Sequence, residues 1–285
     1  MSRADNIIVF QGEPGAYSHL AAHEHFPDME AVACATFEDA FQAIAEGRAH
    51  LGMIPIENSL AGRVADIHHL LPESGLFIIG ERFAPVNHQL MAPKGATLDT
   101  VKEAHSHVMA LGQCRKTLRT LGLKSVVAAD TAGSARYVSG LCDIKHAAIA
   151  SKLAAEIYGL DILKADIEDA VHNVTRFLVM AREPAQVPLA HGPVMTSFIF
   201  RVRNVPAALY KAMGGFATNG VNMTKLESYQ LDATFRATQF YADIEGHPND
   251  RFVANALDEL QFFTSHLKIL GTYPADPYRQ DGIEA

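Results

Sequence analysis

The sequence holds only three cysteines in 285 residues, Cys34, Cys114 and Cys142, widely separated. That scarcity rules out the paired spacing of a thiolate metal site, and an odd, sparse set fits reduced, buried thiols in a cytoplasm. Long apolar runs are missing too. The strand-like Ile7-Ile8-Val9-Phe10 is too short for a signal-peptide core, and no other stretch is long enough to span a bilayer, so no membrane partner is expected. Nor is there a basic stripe. The formal net charge is −8 with both signs interspersed, which excludes a phosphate-backbone partner and hence nucleic acid. No GxSxG, HExxH, CxxC or Walker pattern occurs, and no repeat or low-complexity segment. His19, His23 and His25 contain an i, i+4 pair without acidic or cysteine support, which reads as a solvated helix face; His68, His69 and His105 add no firmer ligand set. No metal site is expected.

What is present is an ordinary globular balance, 48% hydrophobic and 20% charged, in a chain long enough for two domains. Strand-like runs at 7–10, 51–56, 76–79, 125–129, 147–150 and 177–180 alternate with helical stretches. One of these covers 18–26; another has Thr36 as N-cap, an apolar face of Phe37, Ala40, Phe41 and Ile44, and Gly47 as its stop. The alternation predicts an α/β fold of largely parallel sheets covered by helices. Residues 183–193, with three prolines and no periodicity, read as a linker. Beyond it, alternating Phe198, Phe200 and Val202, a helix with Leu209, Met213 and Phe216, strands at 221–228 and 235–244, a helix with Val253, Ala256, Leu257 and Leu260, and a strand at 267–273 spell βαββαβ. That order is the ferredoxin-like arrangement, whose edges and faces commonly pair with a second copy. The domains expected are 5–182, the linker, 194–275, and a polar tail at 276–285.

Three segments set polar residues among apolar ones. A strand runs into Glu57-Asn58-Ser59, at the kind of strand end where α/β sheets bind ligands, although a polar capping turn explains it equally well. Ser106 can cap a following helix and Gln113 lies seven residues on, on the same face; spacing does not decide between a cap with a surface glutamine and a site. Thr175 and Arg176 open an apolar strand, and burial of that guanidinium would demand a carboxylate, whereas a solvated one would not. The turn Gly12-Glu13-Pro14-Gly15-Ala16-Tyr17-Ser18 leads from strand to helix, so its amides can hold an anion; it is not a nucleotide loop.

In order and spacing these segments resemble the prephenate dehydratase family, with Thr175-Arg176-Phe177 as its best-known signature and almost the whole chain covered. The resemblance implies a two-lobed catalytic domain like a type II periplasmic binding protein, followed by an ACT regulatory domain. It implies decarboxylative dehydration of prephenate to phenylpyruvate without a cofactor, in the cytoplasm. Thr175 is then the key hydroxyl, hydrogen bonding to the departing C4 oxygen, with Asn58, Ser106 and Gln113 completing a polar cradle and Glu57 a candidate acid. Arg176, Phe177, Ser59, Gly15 and Ser18 fall on the substrate side, Arg176 either pairing with a substrate carboxylate or bracing the site. Asn204-Val205-Pro206-Ala207-Ala208-Leu209 and Lys225-Leu226-Glu227-Ser228 resemble the effector motifs, so L-phenylalanine is expected near Asn204, Pro206, Ala207, Ala208, Leu209, Asn222, Leu226, Glu227 and Ser228, at an interface of a homodimer or homotetramer. Two departures stand out. Ala207 replaces the family's glycine, and Tyr229-Gln230 its Arg-Pro.

Two rivals remain. Arogenate dehydratase runs the same chemistry on the aminated substrate, and a non-catalytic amino-acid sensor would use the same two parts without turnover. A fused chorismate mutase is not expected, since no helical domain precedes Ile7.

Overall fold

The computed structural model describes residues 3–170, 172–203, 205–231 and 238–281. By contact they form two units, one of 1–43, 48–64 and 82–177, the other of 44–47, 65–81 and 178–285. The division falls within the helix at 37–45 and the strands at 77–85 and 174–181.

The chain begins with β1 (Ile7–Gln11), α1 (Tyr17–His25), β2 (Glu30–Cys34), α2 (Phe37–Ala45), β3 (Leu51–Asn58), β4 (Gly62–Arg63), α3 (Ala65–Leu70) and β5 (Phe77–Pro85). It continues through β6 (Gln89–Ala92), β7 (Glu103–His107), α4 (Val108–Gln113), α5 (Arg115–Thr120), β8 (Lys124–Ala128), α6 (Thr131–Leu141), β9 (His146–Ala150), α7 (Lys152–Tyr158), β10 (Asp161–Lys164) and β11 (Val174–Ala181). Two sheets result, one ordered β2-β1-β3-β11-β5 with β4 on β3, the other β10-β6-β9-β7-β8.

Local chemistry explains several of these elements. Thr36 caps α2 as the sequence predicts: its Oγ1 accepts from the Asp39 amide at 3.1 Å, and the Asp39 carboxylate accepts from the Thr36 amide at 3.3 Å. Gly47, at φ +74°, supplies the left-handed residue that ends the helix. In the second sheet, period-2 alternation sorts the core. Leu90, Ala92, Ala147 and Ile149 face α4 and α5 with Leu111 and Leu118. Met91, Ala148 and Ala150 face α6 and α7 with Ala135, Val138 and Ala154. Each fully buried Ile or Leu here is worth roughly 1.5–3 kcal/mol.

The expectation of largely parallel sheets needs correction. β1 runs parallel to β2 and β3, and β7 parallel to β8 and β9, but β6 is antiparallel to both β9 and β10. The reason is the connection. β6 follows β5 through residues 86–88 alone, and a strand entering a sheet without a crossover helix is under no constraint to run parallel.

In the second unit, β12 (Val194–Val202), α8 (Ala208–Thr218), β13 (Met223–Gln230), β14 (Thr238–Glu245), α9 (Arg251–Phe263) and β15 (Thr264–Pro274) form the ferredoxin-like sheet β13-β14-β12-β15, and a short α10 (Tyr278–Asp281) follows. Phe198, Phe200, Phe216, Ala242, Ile244, Ala256 and Leu260 fill the core under α8 and α9. On the other face Ser197 Oγ bonds Asp243 at 2.5 Å and the Tyr273 hydroxyl at 2.7 Å, and His68 of α3 packs edge-on to Tyr241. Gly271 is a forced choice, because a Cβ there would lie 2.0 Å from the carbonyl oxygen of Ile78. Residue 235, where the sequence starts a strand, and 282–285 of the tail lie outside the described residues. Within the tail, Arg279 pairs with the fully buried Glu81, Nη2 to Oε2 at 2.9 Å.

Candidate active site

The first sheet hands over to the second through 86–88, and the chain returns after β10. The two passages meet where the Val86 amide donates to the Asn173 carbonyl at 2.8 Å. Side chains distant in sequence converge there. Asn58, at the end of β3, donates from Nδ2 to Asn173 Oδ1 at 2.8 Å and to Thr175 Oγ1 at 3.0 Å. Its orientation is fixed, because Oδ1 accepts from the amides of Leu60 and Ala61 at 3.0 and 2.8 Å. Asn173 Nδ2 in turn donates to Gln113 Oε1 at 3.1 Å, and that oxygen lies 2.7 Å from His88 Nε2.

The chain of bonds assigns the imidazole tautomer. Gln113 Oε1 can only accept, so His88 Nε2 carries the proton and Nδ1 accepts from the Tyr17 hydroxyl at 2.7 Å. The Glu168 carboxylate holds the His88 amide at 2.8 Å. Burial pushes the His88 pKa down against the opposing pull of its bond to Gln113 and the Glu168 charge, and pushes that of Tyr17 well up. Both groups are therefore neutral near pH 7. Burial likewise raises the Cys114 thiol, with Glu168 and Asp169 adding to it, so that cysteine is no thiolate nucleophile.

Among the described residues, two donors are left over for a ligand. Thr175 accepts from Asn58, so its own hydrogen is free to be donated; Gln113 uses its oxygen, which leaves its NH2 group. Behind them Arg176, only 2% exposed, pairs with Glu57, Nη1 to Oε1 at 3.1 Å. Thus the buried guanidinium has the carboxylate that its position demands, and β3 is tied to β11 across the strand ends. Ser59 adds to the tie: its Oγ donates to the His172 carbonyl at 2.6 Å and accepts from the Val174 amide at 3.0 Å.

Other residues singled out in the sequence lie differently. Ser106 does not cap α4. His107 does, with Nδ1 accepting from the Met109 amide at 3.4 Å. Ser106 sits inside β7, fully buried, and donates to the Ile149 carbonyl at 2.6 Å, because the strand extends one residue beyond it. Phe177 is buried with the core of its strand, 1% exposed. In the turn at 12–18 the amides of Gly12, Gly15 and Ala16 are engaged by Cys34 O, His19 Nδ1 and Glu13 O. Gly15 is required for another reason. It has φ +89°, a Cβ would lie 2.7 Å from Ala154 Cα, and Ser151 Oγ donates to its carbonyl at 2.6 Å. Ser18 is buried in α1 beside it. His19 stacks on Phe10 at 4.7 Å rather than facing solvent.

Sequence reading missed Tyr17, His88 and Asn173 as site residues. Tyr17 and His88 are 71 residues apart, so no periodicity links them; the one available signal was a polar Asn87-His88 between two apolar strands.

In the second unit, Ala207, Ala208 and Leu209 border a cavity of about 260 Å³ with Val205, Thr238 and Phe240. Ala207 adopts φ +62° just before α8. Leu226, Glu227 and Ser228 lie on β13, an edge strand, and Asn222 just before it accepts from the Glu245 amide at 3.0 Å. Asn204 lies outside the described residues. Pro206, expected in a first helical turn, lies instead in the turn before the Ala207 cap.

Comparison with known proteins adds the following. The sequence model of the family Prephenate dehydratase matches residues 8–185. A bifunctional N-acyl-homoserine lactone acylase/prephenate dehydratase of Komagataeibacter europaeus is 51% identical over 97% of this chain and 98% of that protein. Arogenate dehydratase/prephenate dehydratase 1, chloroplastic, of Arabidopsis thaliana is 41% identical over 95% of this chain and 73% of its own. The crystal structure of prephenate dehydratase in complex with L-Phe from Arthrobacter aurescens is 30% identical, covers 94% of this chain and 89% of that one, and superposes with a TM-score of 0.85.

Proposed function

The chain belongs to the prephenate dehydratase family, and from that premise we propose that it converts prephenate to phenylpyruvate, water and carbon dioxide at the Asn58–Asn173–Gln113–Thr175 network. The observation that carries this reading is the Thr175 hydroxyl, held by Asn58 with its proton left to give. As the ring carboxylate leaves as CO2, its bonding pair enters the ring. The C4–O bond breaks, the ring becomes aromatic, and the departing oxygen needs a hydrogen-bond donor and finally a proton to leave as water. Aromatisation drives the step and takes up the electrons, so no cofactor is called for. An isolated threonine is a very weak acid, so Thr175 acts by donating a hydrogen bond that strengthens as charge builds on the leaving oxygen. The Gln113 NH2 group is a second donor toward the substrate. Arg176 and Glu57 brace the strand ends, since each already holds the other.

The second unit supports a regulatory reading. Residues 194–275 have the ferredoxin-like order, and we assign them as an ACT domain that binds L-phenylalanine beside Ala207 to Leu209, with Asn222 and β13 completing the site in a homodimer or homotetramer. The relative bound to L-Phe supports the effector. Free Cys34, Cys114 and Cys142 suit a cytoplasmic setting, and no described helix is long and apolar enough to cross a membrane.

Two relatives supply competing substrates, arogenate and an N-acyl-homoserine lactone. The test runs prephenate, arogenate and an acyl-homoserine lactone side by side with purified protein. Phenylpyruvate from prephenate, lost in Thr175→Val, is the expected result. Preference for arogenate would rename the substrate. Hydrolysis of the acyl amide bond of the homoserine lactone that survives Thr175→Val would place a second activity outside this network.

A further inference from the structure

β7 and β9 are neighbouring parallel strands with Glu103 directly beside His146. Glu103 and His105 are two residues apart on β7, so all three side chains leave the same face of the sheet. Their ligand atoms converge: His105 Nε2 lies 2.9 Å from His146 Nδ1, and Glu103 Oε2 lies 3.6 Å from that Nδ1 and 3.9 Å from that Nε2. We propose that Glu103, His105 and His146 form a binding site for a divalent transition metal of the zinc class.

The geometry is close to what the ion requires. Tetrahedral zinc with bonds of about 2.0–2.1 Å sets its ligand atoms roughly 3.3 Å apart, and the three observed separations bracket that spacing. Two imidazoles with one carboxylate select zinc, cobalt or nickel over magnesium and calcium, which prefer oxygen alone. The outer shell fits as well. Asp143 Oδ2 stands 3.9 Å from Nε2 of His146, the ring nitrogen that does not face the cluster. His105 is buried, and its ring packs against Tyr137 at 5.5 Å, so that ligand is fixed in place.

A shared proton between the two imidazoles explains their contact when no ion is bound, and a metal would replace that proton. Lys124 holds Oε1 of Glu103, the other carboxylate oxygen, at 2.8 Å. Its side chain is 73% exposed, so it can turn away into water at small cost. Three protein ligands leave a fourth position for water. The cluster shares no hydrogen bond with the Asn58–Thr175 network, so filling it is expected to leave prephenate turnover within about twofold.

The test uses untagged full-length protein, treated with chelator and titrated with Zn²⁺ by calorimetry and with Co²⁺ by visible absorption. One ion per chain, a tetrahedral cobalt spectrum and a raised Tm with zinc are expected. His146→Ala and Glu103→Gln, both at partly exposed side chains, should abolish binding while circular dichroism stays unchanged. Asp143→Asn leaves the sheet face untouched and should weaken affinity about ten- to a hundredfold. Absence of stoichiometric binding would overturn the site, and so would binding that persists in His146→Ala and Glu103→Gln.

Discussion

A threonine hydroxyl has one proton, and at Thr175 the surroundings determine where it points. Because Asn58 fills an acceptor site on Oγ1, the hydroxyl hydrogen is left to donate elsewhere, and in the proposed reaction it goes to the leaving oxygen. Replacing Thr175 by valine keeps the shape and removes the donor, so kcat should fall by about 10²–10⁴ with KM changed only a few-fold, and serine should restore most of the rate. Steady-state kinetics on prephenate decide this; a loss confined to KM would remove Thr175 from the chemical step. His88 offers a different test. It is buried neutral, with its pKa lowered by loss of hydration, whereas in the unfolded chain it titrates near about 6.5. Unfolding therefore takes up a proton below that value. The contribution of His88 to stability is complete above about pH 6.5 and is lost as pH falls from there through its depressed folded value. Urea midpoints measured across this range should decline toward acid, less steeply in His88→Gln. A slope unchanged in that variant would mean that other groups carry the effect.

At the scale of elements, backbone positions carry the clearest demands. Strand β15 passes so close to β5 that Gly271→Ala would press a methyl group into the Ile78 carbonyl, and the cost should be about 3 kcal/mol or more in chemical denaturation. The reverse holds at the start of α8. Ala207 sits at φ +62° without a side-chain cap, a conformation that costs an L residue roughly 1–2 kcal/mol, so Ala207→Gly should raise stability by about 1 kcal/mol despite the entropy of glycine. An unchanged or lower midpoint would show that the left-handed turn is not what limits this helix.

At the scale of the whole molecule, the Asn58–Thr175 network and the 260 Å³ cavity beside Ala207 lie in different units, so the proposed regulation is a coupling free energy between two separate sites. Phenylalanine added to the full-length enzyme should shift prephenate turnover. By reciprocity, a non-reacting prephenate analogue should shift the affinity for phenylalanine by the same factor. Calorimetry with each ligand in the presence and absence of the other checks both. Independent binding would leave two functional parts without allostery.

Much of this architecture follows from local sequence. Alternation along 198–202, the Thr36 cap with Asp39, and the βαββαβ order are short-range patterns, and period and capping chemistry express them directly. Glu57, Asn58, Gln113, Thr175 and Arg176 stand out as polar residues in apolar surroundings, yet spacing alone could not distinguish a site from capping turns and solvated side chains; the resemblance supplied that choice. Only tertiary structure decided that Arg176 faces Glu57, that Ser106 bonds inside its strand, and that Tyr17, His88 and Asn173 join the network. The physical reason is that hydrogen bonds between residues 43 to 119 positions apart depend on which strands become neighbours and in which register. Sequence periodicity fixes the face a side chain takes within its own element, but not the element it meets.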